Sequence, residues 1–180
     1  MVYVLLGTGF EEVEALAPVD LLRRAGIDVL TVGVTGKIVY GGHNIGVEAD
    51  IILDEMDLTD LEMIVLPGGL GGVASARASK GTLDAIRFAW ENGKFVAAIC
   101  AGPTVLADLG ITDGRNATCF PGCESQMGKA NMVNAAAVTD GKLITGTSAG
   151  CAVAFGLELI RALKGAEAAA AIEKQIVIRS

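Results

Sequence analysis

Lys94-Phe95-Val96-Ala97-Ala98-Ile99-Cys100-Ala101-Gly102-Pro103-Thr104 decides how this chain is read. An apolar run with strand character stops at a cysteine, and a turn of small residues opens a helical pattern, Thr104-Val105-Leu106-Ala107-Asp108-Leu109. A strand that is apolar on both sides suits a parallel sheet covered on both faces. At so sharp a strand-to-helix turn the side chain is pushed outward, with N–H groups of the helix start directed at it, the geometry of a nucleophile elbow. A helix start also favours thiolate over thiol, so Cys100 is the first candidate nucleophile. The plain alternative is a small buried hydrophobe at a strand end.

The same alternation extends in both directions. Val2-Tyr3-Val4-Leu5-Leu6 reads as a strand, Glu11 to Ala25 as a helix closed by Gly26, and residues 27–32 as a second strand. Residues 37–53 read as a hairpin excursion around Gly41-Gly42, and Met63-Ile64-Val65-Leu66 as a buried strand ended by Pro67-Gly68-Gly69. A helix follows, capped by Ser79 and stopped by Gly93. After the Cys100 unit comes a looser stretch, 110–130. Ala135–Val138 and Leu143–Thr145 then read as a closing hairpin around Asp140-Gly141, followed by Ala-rich helices over about 151–163 and 166–174. Repeated β–α units with short connections predict an α/β sandwich, a mostly parallel sheet with helices on both faces, in a single domain over 1–180.

Composition agrees. Of the 180 residues 52% are hydrophobic and 19% charged, which argues against disorder, and with 4% aromatics and 24 glycines the core must be aliphatic. A net charge of −7 repels phosphate backbones, and no basic run interleaved with aromatics is present, so no nucleic-acid partner is expected. No uncharged apolar stretch approaches the ~20 residues that span a bilayer, and no basic leader precedes the first strand, so a soluble, cytoplasmic protein without a membrane partner is expected. The four cysteines (Cys100, Cys119, Cys123, Cys151) form no secretory framework and are expected reduced. Cys119 and Cys123 stand four apart without forming a Cys-x-x-Cys pair, and the single histidine, His43, lies far upstream, so no metal is expected.

Ligands of such sheets sit at the carboxyl ends of the strands. Three of those ends are unusual: Gly7-Thr8-Gly9, Pro67-Gly68-Gly69 and Ile99-Cys100-Ala101. A dinucleotide fingerprint is excluded, because the third glycine is missing and no acidic residue follows the second strand; no cofactor is expected. Glu14 is the second candidate. It shares a helical stripe with Pro18, Leu21 and Ala25, an apolar face whose burial raises a carboxyl's pKa toward neutrality. Pro18 cannot donate to the Glu14 carbonyl, so a bend is expected there. Pro67-Gly68-Gly69 lets backbone N–H groups approach an oxyanion.

Taken together, Gly9-Phe10-Glu11-Glu12-Val13-Glu14, Leu66-Pro67-Gly68-Gly69 and Ala98-Ile99-Cys100-Ala101-Gly102-Pro103 resemble the ThiJ/PfpI superfamily, nearest its DJ-one and YajL branch. Pro18-Val19-Asp20-Leu21-Leu22-Arg23-Arg24-Ala25-Gly26 is similar to that branch too, and the likeness covers essentially the whole chain, with Thr147-Ser148-Ala149-Gly150 in place of the usual Gly-Pro-Gly type turn. The resemblance implies a flavodoxin-like sandwich related to class I glutamine amidotransferases, usually a homodimer. It implies Cys100 as the reactive thiol, Glu14 as its protonated carboxylic partner, and the N–H groups of Gly69 and Ala101 as oxyanion donors. Where many members carry His-Pro, this chain reads Cys119-Phe120-Pro121, as YajL-like members do. Without that histidine, protease or amidotransferase chemistry lacks its base. The expected activity is therefore glyoxalase- or deglycase-like, on small reactive aldehydes or glycated adducts, through Cys100 and Glu14. The alternative is an oxidative-stress sensor or redox-regulated chaperone, in which Cys100 is oxidised and Cys119 or Cys123 serves as resolving thiol.

Overall fold

The strand Val2–Leu6 (β1) is buried along its whole length and divides its side chains between two cores. Val2, Val4 and Leu6 enter one, Tyr3 and Leu5 the other. This period-two division requires cover on both faces of the sheet. The structure, a computed structural model, describes residues 1–178; Arg179 and Ser180 lie outside them.

After β1 come α1 (Glu12–Arg24), β2 (Val29–Gly33), β3 (Ile38–Tyr40), β4 (Gly46–Glu48) and β5 (Ile51–Ile52). Next are β6 (Met63–Leu66), α2 (Leu70–Ala78), α3 (Lys80–Glu91), β7 (Phe95–Ile99) and α4 (Pro103–Asp108). The chain continues with β8 (Asn116–Ala117), β9 (Asn131–Met132), β10 (Ala137–Asp140), β11 (Leu143–Gly146), α5 (Ala152–Lys164) and α6 (Ala166–Gln175). The main sheet runs in the order β10-β11-β7-β6-β1-β2-β5, with only β10 antiparallel. Residues of α1, α5 and α6 fill one core; residues of α2, α3 and α4 fill the other. The result is a three-layer, flavodoxin-like sandwich.

Connectivity reverses direction at β1, whose neighbours are β2 on one side and β6 on the other. A crevice opens at such a switch point, beyond the strand ends. The turns after β1 and β6 flank it, and β7, carrying Cys100 at its end, is the next strand along. No helix among the described residues is long and apolar enough to cross a membrane.

Two local expectations need correction. A helix, α2, stands between Gly69 and Ser79, where none was anticipated. Its two internal glycines, Gly71 and Gly72, depress helix propensity, but they let Gly9 and Phe10 pack directly against its backbone. Ser79 does cap α3, its hydroxyl accepting the Thr82 N–H at 3.2 Å. Ile51–Ile52 does not belong to the hairpin; it pairs in parallel with β2 at the sheet edge, leaving β3 and β4 as the hairpin. The helix α1 continues through Pro18 without interruption.

Candidate functional site

Cys100 follows the last residue of β7 with φ +66°, in the left-handed region that side chains with a Cβ enter at a cost. The surroundings over-determine it. Its N–H donates to the Gly146 carbonyl of β11 at 3.0 Å, and its own carbonyl accepts the Phe120 N–H at 2.8 Å. The tight turn continues because Gly102 leaves room: a Cβ there would lie 2.7 Å from the Leu66 carbonyl oxygen.

Glu14 reaches the same point from α1. It is 1% exposed, and one carboxylate oxygen accepts the Gly68 N–H at 2.9 Å. Gly68 has to be glycine: a Cβ would sit 2.5 Å from the Glu14 Oε2 and 2.7 Å from the Cys100 Cβ. Gly69 takes φ +83°, and a Cβ on it would strike the backbone of Gly9 and come within 2.6 Å of the Glu11 nitrogen. Close approach of three turns, through glycines at Gly9, Gly68, Gly69 and Gly102, thus forms the site.

The electrostatics of the pair follow from burial. Burial pushes the Glu14 carboxyl up to about 7, against hydrogen bonds from Cys100 and the Gly68 N–H that favour its ionised form; the nearby Glu11 charge adds to the rise. Burial, then the Glu14 charge and hydrogen bond, push the Cys100 thiol up to about 12, while the N–H groups of Ala101 and Gly69 pull it the other way. Each group thus raises the cost of ionising the other, and the two titrate as a coupled pair. The sulfur is half-buried, and the helix beyond it is only six residues long, so burial and the adjacent carboxylate work against the pull of the helix start.

The structure brings together all four residues singled out in the sequence. Glu14 and Cys100 meet across Gly68, and the N–H groups of Gly69 and Ala101 pull the thiol pKa down. The Gly68 N–H, which anchors Glu14, was not anticipated, although it lies in the same Pro67-Gly68-Gly69 run. Phe120 holds the Cys100 carbonyl through its backbone and leaves its ring 46% exposed, so nothing at this position relays a proton. Cys119 is buried, its thiol pushed up to about 11 by burial and by neighbouring Cys123 and Glu124, which makes it a poor resolving nucleophile. It lines a cleft of about 250 Å³ with Thr118, Pro121 and Thr147.

Comparison with known proteins places the site in a family. The profile of the DJ-1/PfpI family matches residues 1–162. Protein dj-1beta of Drosophila melanogaster is 34% identical over 178 residues, covering 97% of this chain and 95% of its own length. A deglycase of Pyrococcus abyssi is 30% identical over 165 residues, covering 91% and 99%. Among solved structures, Drosophila melanogaster DJ-1beta superposes with a TM-score of 0.94 at 34% identity, covering 99% of this chain and 98% of that one. Oxidized Toxoplasma gondii DJ-1 superposes with a TM-score of 0.94 at 29% identity, again covering 99% and 98%. By sequence and by fold, this chain belongs to the DJ-1/PfpI family.

Proposed function

We propose that the protein is a cysteine-dependent enzyme of deglycase or glyoxalase type, converting small reactive aldehydes such as methylglyoxal to hydroxy acids. The observation that carries this reading is the buried Glu14 carboxyl, held by the Gly68 N–H and set against Cys100 beside the N–H groups of Gly69 and Ala101. A carboxyl with pKa near neutrality both takes and returns protons at physiological pH. As sulfur adds to the aldehyde carbon, the S–H proton passes to the Glu14 carboxylate. The carbonyl electron pair becomes an oxyanion facing the two N–H groups. Glu14 returns the proton, completing a hemithioacetal. Transfer of hydrogen from that carbon to the adjacent carbonyl carbon gives a thioester, and water cleaves it to lactate and the free thiol. Methylglyoxal plus water yields lactate, with no outside oxidant.

Deglycase names among the relatives support aldehyde or glycated-adduct substrates. Amide hydrolysis is disfavoured, because the chain's single histidine is engaged with Glu12. A second reading, a peroxide-sensing thiol, draws support from the same pair, since protonated Glu14 can donate a hydrogen bond to an oxidised sulfur. We also propose that the protein acts as a homodimer, supported by the apolar side chains left exposed on the β3–β4 hairpin and the adjoining start of α1. Cys100→Ala should reduce lactate formation from methylglyoxal to background, and Glu14→Gln should reduce it by roughly 100-fold or more. Unchanged turnover in Cys100→Ala overturns the mechanism. Absence of turnover in the wild type, with mild peroxide adding two oxygens at Cys100 alone, selects the sensor.

A further inference from the structure

Outside the Cys100 crevice, the β3–β4 hairpin carries His43 onto the first turn of α1. The Gly42 N–H donates to the Phe10 carbonyl at 2.7 Å, and the Gly9 N–H donates to the Tyr40 carbonyl at 2.8 Å, so hairpin and helix start are held in one frame. Glu12 lies in the seam, 5% exposed. Its Oε1 accepts the His43 N–H at 2.8 Å and the Ile45 N–H at 3.4 Å. The carboxylate occupies the space a side chain at Gly41 would need. This leaves Oε2 aimed at the imidazole, 3.0 Å from His43 Nδ1. The Glu11 Oε2 approaches the same ring nitrogen at 3.6 Å.

We infer that Glu11, Glu12 and His43 form a binding site for one divalent transition-metal ion of the zinc type. Bonds of about 2.1 Å in a tetrahedral shell set ligand atoms roughly 3.4 Å apart. Two of the separations here bracket that value, and the three donor atoms lie within 4.8 Å of one another. One imidazole with two carboxylates suits zinc and its first-row neighbours. Glu12 is preorganised as a ligand, because two backbone donors fix its far oxygen, the kind of outer support that orients metal ligands. A simple ion pair would need one carboxylate at the ring; two converge on it. Nothing in the linear spacing suggested this site, because its ligands come from a helix start and a hairpin that only tertiary packing unites.

His43 is the only histidine in the chain, so its ring nitrogens are an unambiguous reporter. Zn²⁺ titrated into ¹⁵N-labelled wild-type protein should shift the imidazole Nδ1 resonance to a plateau near one equivalent. Glu12→Gln and Glu11→Gln should each weaken binding at least 10-fold, while Cys100→Ala should leave the imidazole response intact. If Zn²⁺ leaves the ring resonances unmoved, or moves them equally well in both Glu variants, the site does not exist. Should Glu12→Gln fail to fold, Glu11→Gln decides by itself.

Discussion

A buried acid whose pKa is raised weakens the fold that buries it. Glu14 has an ordinary value of 4.5 and is held at about 7 in the folded protein. The folded state thus retains a proton that the unfolded chain releases between those values, and stability falls as pH rises through that window. The loss amounts to roughly 3 kcal/mol above pH 7, from 1.36 kcal/mol per pKa unit. Glu14→Gln removes this ionisation and keeps an acceptor for the Gly68 N–H. It should melt at a higher temperature than wild type at pH 8, with the advantage shrinking to nothing below about pH 4.5. Parallel melting curves for the two proteins across that range would refute the assignment. Cys100 carries a second local cost, its φ of +66°, which the Gly146 and Phe120 hydrogen bonds sustain. Backbone strain and a buried acid at one point make it a functional-site candidate. The positions of Cys100 and Glu14 were legible from turn composition and helical spacing. The rise of the Glu14 pKa toward neutrality was legible from its apolar helical face; the upward push on the Cys100 thiol was not, because it depends on burial and on a partner from another element.

Among the elements, α1 bears the site's acid and must be held firmly against the sheet. It packs on α5 through Gly156, where a Cβ would lie 2.6 Å from the Leu21 Cδ1 and 3.2 Å from the Pro18 Cα. The second contact is backbone and cannot move aside. Gly156→Val should therefore destabilise the protein by about 1–3 kcal/mol, visible as a lower midpoint in urea. An unchanged midpoint would show that the two helices separate without cost. The long periodic elements were readable because one apolar stripe suffices to mark them: α1, α3 with its Ser79 cap, and the Ala-rich α5 and α6. Two shorter elements carry no such mark. The helix α2 hides behind Gly71 and Gly72, whose propensity is poor and whose value lies in contact with the first turn of the chain. The two-residue β5 is too short to show a period, and only pairing with β2 defines it.

At the level of the whole molecule, the surface leaves Ile38 61%, Tyr40 53% and Ile45 53% exposed on the hairpin, with Val13 51% and Leu16 37% on the neighbouring helix. Large apolar side chains grouped on one side of a protein mark an interaction surface. A second copy of the chain is its proposed occupant. Sedimentation equilibrium at micromolar concentration should give twice the monomer mass, and Tyr40→Asp combined with Ile45→Asp should shift the protein to monomer. A wild-type protein that sediments as a monomer removes the dimer. The sequence by itself determined the α/β class, the order of the central strands along the chain and the three glycine-rich or small-residue turns that face one crevice, because periodicity and turn chemistry are local properties of the chain. The tertiary structure decided that Cys100 is half-buried beside Glu14, that Gly68 anchors this acid, and that His43 meets Glu11 and Glu12. Desolvation and long-range approach set these features, and neither exists until the chain has packed.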